Sequence, residues 1–170
     1  MRKLIRIPLF ITICLIYACE DHDKTLPEFY VLNTELTTGQ QPKGFSYKEL
    51  NIITFPNSDN IIPEFILSCH TNETGDIIGP MLSHPNLENR FILLKSYDNL
   101  SSALNHYDTL STRSINSYQS FALDIKPFDI WQIKTNSGET GILLVLETRT
   151  ENKNNAPFAE IKFKAKKIIQ

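Results

Sequence analysis

The last quarter of the chain constrains the fold most. In FAEIKFKAKKI, residues 158–168, Ala159, Ile161, Phe163 and Ala165 alternate with Glu160, Lys162, Lys164 and Lys166. Successive side chains on a strand point to opposite faces, so this spacing predicts a strand with one face in the core and one in water. The lysines then form a solvated strand face, and their charge discourages edge-to-edge pairing. Just before it, GILLVLETR (residues 141–149) is apolar from Ile142 to Leu146 without alternation. A short run of that kind suits a central strand covered on both sides. In DIWQIKT (residues 129–135), Trp131, Ile133 and Thr135 share a face, and Asn136-Ser137-Gly138 supplies a turn. A loop, ENKNNAP, separates the last two strands. These three segments predict an antiparallel meander that closes the domain, with Trp131 as a core anchor.

Further upstream, residues 29–32, 51–55, 64–70, 90–97 and 120–126 also read as strands. In EFILSCH, Phe65, Leu67 and Cys69 face one way, and Glu64, Ser68 and His70 face the other. In SFALDIK the alternation runs through Phe121, Leu123 and Ile125. One segment has helical spacing: Leu100, Ala103, Leu104, Tyr107 and Leu110 recur at steps of three and four within residues 96–110. Ser96 or Asp98 is placed to cap its N-terminus. The expectation is therefore a mainly β (α+β) fold, an antiparallel open barrel or sandwich of about eight strands with one helix.

The start of the chain is different in kind. Arg2, Lys3 and Arg6 precede an apolar stretch from Ile7 to Tyr17 that is broken only by Thr12. Crossing a bilayer takes about 20 apolar residues, whereas a signal-peptide core takes roughly 7–15. The run ends at Ile16-Tyr17-Ala18-Cys19, which resembles the lipobox of bacterial lipoproteins, Tyr17 being bulkier than usual there. That resemblance implies cleavage after Ala18 and lipidation of Cys19. Acyl chains stabilise membrane attachment by about 0.8 kcal/mol per buried CH₂, so several hold where one is marginal. The expected organisation is a lipoprotein signal peptide at 1–18, an acidic tether at 19–27 and a single β-rich domain at 28–170. The tether begins Glu20-Asp21-His22-Asp23-Lys24. It resembles the acidic export signal of surface-displayed Bacteroidota lipoproteins, which favours surface display over a periplasm-facing domain.

Charge and cysteine content narrow the function. The signal carries three of the 17 basic residues and none of the 19 acidic ones, so the mature charge is 14 − 19 = −5. Nucleic-acid binding needs Lys and Arg on phosphates, so a nucleic-acid partner is not expected. With Cys19 lipidated and Cys14 removed, Cys69 has no partner for an intrachain disulfide. It reads as a small core residue. Cys69 and His70 point to opposite faces and cannot form a nucleophile–base dyad. TNETGD (residues 71–76) is rich in oxygen ligands, but it lacks the spacing of a calcium loop and reads as a turn. His84, in the loop GPMLSHPN, and His106, on the helix, join His70 as candidate ligands. No HxH or HxxxH spacing links them, so no metal site or cofactor is assigned. No GxSxG, phosphate-loop or dinucleotide glycine pattern occurs, so no catalytic residue is assigned and the chain is read as a non-enzyme. Asp108-Thr109-Leu110 resembles the short O-glycosylation motif of Bacteroidota.

From IKTNSGETGILLVLETR to FAEIKFKAKKI the chain is similar to the closing meander of small Bacteroidota outer-membrane lipoproteins. The haem-scavenging HmuY-like group has this arrangement. The resemblance implies a lipid-anchored envelope protein and haem capture as one possible task, with no ligand residue carried over. The leading expectation is a non-enzymatic binding or interaction domain, attached to the membrane by its N-terminal lipid and meeting another envelope protein. The alternatives are haem or metal capture by two of His70, His84 and His106, and a hydrolase with a dispersed site.

Overall fold

The computed structural model describes residues 28–111 and 117–168. The expected signal peptide, the tether and Cys19 lie outside them. Strands β1 (Tyr30–Asn33), β2 (Lys43–Ser46), β3 (Asn51–Thr54), β4 (Phe65–Thr71), β5 (Ile77–Ser83) and β6 (Phe91–Lys95) precede helix α1 (Leu100–Thr109). Strands β7 (Phe121–Ala122), β8 (Ile130–Lys134), β9 (Thr140–Lys153) and β10 (Ala156–Ile168) follow it. Two five-stranded antiparallel sheets result, one ordered β1-β10-β9-β8-β6 and the other β3-β2-β4-β5-β7. They pack face to face as an open sandwich, not a closed barrel.

The closing meander forms as the alternation requires. β9 lies between β8 and β10 and is buried on both faces from Thr140 to Val145. Leu143 and Val145 join the core between the sheets, and Ile142 and Leu144 pack under α1 with Ala103 and Tyr107. Gly138, at φ +85°, closes the β8–β9 turn. The predicted loop between the last two strands is instead a two-residue turn. β9 runs on to Lys153, β10 starts at Ala156, and Asn154 and Asn155 both take positive φ, as the tightest hairpins require.

The core is aromatic. Phe45 sits among Tyr30, Tyr47, Phe65 and Phe163, whose ring centroids lie 4.8–5.4 Å from its own. Trp131 is buried in the same layer. Gly141 is required by this packing, because a Cβ there would lie 2.5 Å from the Tyr47 ring. Each such side chain contributes about 1.5–3 kcal/mol by burial. At one seam Phe91 and Gln119 exchange both backbone hydrogen bonds. At the other, Tyr30 Oη donates to the Leu50 carbonyl at 2.9 Å.

Several expectations are corrected. β2 and β5 add two strands, and Gly79–Ser83, read as loop, belongs to β5. Pro80 is tolerated there because β7 pairs only with Leu82 and Ser83, leaving the strand one neighbour at that point. The alternation through residues 120–126 breaks down: Ile125 is buried as expected, but Ala122 is buried and Leu123 is 42% exposed. The strand stops after two residues, and Asp124 at φ +53° turns the chain. Asn99, not Ser96 or Asp98, caps α1 by accepting from the Ser102 amide at 2.9 Å. The lysine face is not uniformly solvated. Lys166 lies under the helix end, donates to the Tyr107 carbonyl and sits 4.6 Å from the Tyr107 ring. A cation at the last turn is favoured by the helix dipole, while burial lowers the Lys166 pKa.

Candidate functional site

One end of the sandwich gathers the β2–β3, β3–β4 and β5–β6 loops, the β8–β9 turn and the end of β10. Between them lies a cleft of about 550 Å³. Asp59, Asn60, Ile61 and Ile62 form one wall, and His84, Asn86 and Glu88 form another. Thr135, Asn136, Ser137 and Glu139 supply the floor and rim, with Lys48 and Lys167 at the sides.

Two buried ionisable side chains hold these walls. Glu64 is 2% exposed. Its Oε2 accepts from the Tyr47 amide at 2.7 Å, and Oε1 accepts from the Asn136 amide at 3.3 Å. A single carboxylate thus ties the sheet containing β2 and β4 to the β8–β9 turn of the other sheet. His84 is 1% exposed. Its Nδ1 accepts from the Asn86 amide at 3.2 Å, so that nitrogen carries no hydrogen and Nε2 donates to Asn136 Oδ1 at 3.2 Å. Asn136 then donates through Nδ2 to the Ile62 carbonyl at 2.7 Å. Asn136 is therefore the junction of three chain segments, and its side-chain oxygen and nitrogen both have partners.

The electrostatics keep His84 neutral. Burial is the main cause that lowers its pKa, the Arg90 charge adds to it, and Glu88 and Asn136 oppose it. Glu88 Oε1 lies 3.8 Å from His84 Nδ1. Its Oε2 accepts from Arg90 Nε at 3.0 Å, and this partner holds the Glu88 carboxyl below its usual range. Arg90 in turn donates from Nη1 to the Lys134 carbonyl at 3.0 Å. On the opposite rim the Glu139 carboxyl is lowered, first by the Ser137 hydroxyl that donates to it at 2.7 Å and then by Lys167.

The three candidate histidines are not brought together. His70 pairs with Gly79, whereas His84 follows Ser83, which pairs with Ile66. Five residues of strand, about 17 Å, therefore separate their levels. His106 is on α1, over the outer face of the other sheet, with its ring centroid 5.7 Å from that of Tyr97. His70 Nδ1 faces Asp124 Oδ1 at 3.8 Å. Cys69 packs against the core, and burial raises its thiol pKa. Among the described residues no group of three or more His, Cys, Asp or Glu side chains could hold a metal ion. The TNETGD stretch is a turn in which Asn72 Oδ1 accepts from the Thr74 and Asp76 amides. Thr109, of the Asp-Thr-Leu motif, ends α1 and donates its hydroxyl to the Asn105 carbonyl at 2.9 Å.

The sequence reading missed the residues that shape the cleft. The alternation in EFILSCH places Glu64 opposite Phe65 with Ser68 and His70, but Glu64 precedes β4 and is covered by a turn 72 residues away in the chain. Asn136 carries only a turn signal in the sequence. Nothing in local spacing marks either one, because their partners come from other loops.

The fold and cleft together define an antiparallel β-sandwich with a ligand-sized depression at one end. No family model, curated protein or solved structure matches the chain.

Proposed function

We propose that this chain is a lipid-anchored cell-envelope protein, held to the outer membrane through Cys19, whose β-sandwich is a non-enzymatic binding domain using the end cleft. The observation that carries the binding reading is the hydrogen bonding of Glu64 and His84. Both carboxylate oxygens and both ring nitrogens have partners within the protein, all of them from loops that form the cleft. Neither group could act as a general base without giving up a bond that holds a wall in place. A preformed cleft with fixed polar walls fits recognition of a ligand or of a segment of another envelope protein.

The direction of β1 supports the anchoring part. Tyr30 pairs with Phe163 and Asn33 with Glu160, so β1 begins on the side of β10 that leads to Lys167 and the cleft. The segment 19–27 therefore joins the domain at its cleft end.

Mass spectrometry of the chain from its host membrane tests the anchor. The expected product begins at an acylated Cys19, and a retained leader or an unmodified cysteine overturns it. The cleft is tested by amide chemical shifts of the ¹⁵N-labelled chain against a panel of amino acids, dipeptides, monosaccharides and disaccharides. Saturable shifts centred on Asn136, Ser137 and Lys167 are expected for at least one class. Turnover of a probe, or shifts centred elsewhere on the sandwich, contradicts the reading.

A further inference from the structure

One wall of the cleft depends on the protonation state of a single side chain. His84 Nδ1 accepts from the Asn86 amide, which it can do only while it carries no hydrogen. Across the same nitrogen, 3.8 Å away, lies Glu88 Oε1. The other oxygen of Glu88 is fixed by Arg90, and Arg90 is fixed to the Lys134 carbonyl at the end of β8. An acceptor is thus already positioned for the hydrogen that protonation would add. His84 Nε2 stays bonded to Asn136 in either state, because that nitrogen donates in both.

We propose that His84 is a proton-operated latch on the cleft: neutral, it pins Asn86 and closes the His84–Glu88 wall, and protonated, it releases Asn86 and turns its Nδ1–H to Glu88. The two states differ in one hydrogen bond exchanged for an ion pair, and the element they bias is the β5–β6 loop. The charged groups around the ring set the balance. Glu88 favours the protonated state and Arg90 opposes it on the same loop; Glu64 faces it through Asn136 from before β4, and Glu139 and Lys167 lie across the cleft. Burial also opposes the protonated state, so the latch opens on acidification below the ordinary histidine range. If the cleft is a binding site, as proposed above, its occupant is held near neutrality and released in acid.

The test reads the latch without any ligand, so a cleft that binds nothing leaves the result unaffected. Amide spectra of the ¹⁵N-labelled chain are followed from pH 8 to pH 4.5 alongside the ring signals of His84. The Asn86 amide and the Asn136 side-chain amide are expected to shift with the His84 midpoint. The protection factor of the Asn86 amide, its exchange rate referred to the intrinsic rate at each pH, is expected to fall about twofold to tenfold across it, the loss of one net hydrogen bond. Glu88→Gln, at an exposed position that leaves the core intact, is expected to lower the midpoint, and His84→Gln to abolish the transition. Asn86 unchanged while His84 titrates, or a midpoint unmoved in Glu88→Gln, overturns the proposal.

Discussion

The middle of the sheet contact and its cleft end are held by different physics. In the middle, Phe45 and its aromatic neighbours bring the sheets together by removing apolar surface from water, with edge and stacked ring contacts throughout. At the cleft end, one carboxylate and one imidazole do the joining through directional bonds to loop amides. The first kind of contact is strong and tolerant of small shifts. The second is weaker, but it fixes loops in one geometry and responds to pH. Rigid strands thus carry a cleft whose walls are loops, a division of labour common where a scaffold positions a binding surface.

The comparison is broken most severely at the centre. Phe45→Ala removes a fully buried ring that touches four others and is expected to lower stability by about 3–5 kcal/mol in denaturant unfolding. A loss below 1 kcal/mol would mean that the aromatic cluster is not the main tie. Glu64→Ala leaves the Tyr47 and Asn136 amides without their acceptor and is expected to cost about 1–3 kcal/mol. Amide exchange should quicken at Tyr47 and Asn136 while Leu143 and Val145 keep their protection. Uniform loss of protection would show that the two regions unfold as one.

The pH response sharpens the contrast. The His84 pKa is lowered in the folded chain, so between its folded and unfolded values the unfolded state binds more protons. Its stabilising contribution is fully present above the unfolded value, near 6.5, and is lost as pH falls toward the folded one. Thermal unfolding should show stability falling over that window in the native chain and a flatter profile in His84→Gln. The smallest effect is expected on the outer face. Lys162 pairs with Glu147 at 2.9 Å and lies over the Phe29 ring, yet it is partly in water. Lys162→Ala should change stability by no more than about 1 kcal/mol, and less at high salt.

The two regions also differ in how far the sequence reveals them. The meander of β8, β9 and β10 is written locally: alternation marks β10, an unbroken apolar run marks β9, and Gly138 marks the turn between β8 and β9. The helix is legible in the same way, because Ala103 and Tyr107 recur at the step that faces β9. β2 and β5 are hidden by residues that usually break strands. Gly44 is there because a Cβ would meet Pro63 and the Phe65 carbonyl within 2.7 Å, and Pro80 is there because its strand has lost a neighbour. Residues 120–126 misled because an even alternation continues through Asp124, where the backbone turns away. The cleft could not be read at all from spacing. Glu64 and Asn136 look like surface residues until the fold places a carboxylate from one sheet beneath a turn of the other.

The claim most exposed to test is that the cleft end is held by specific side-chain bonds and not merely by the core beneath it. A double-mutant cycle of His84→Ala and Asn136→Ala, read by denaturant unfolding at pH 8, isolates their bond. The expected coupling is about 0.5–1.5 kcal/mol, the net worth of one hydrogen bond in a protein interior. Strictly additive effects, with a coupling near zero, would contradict it.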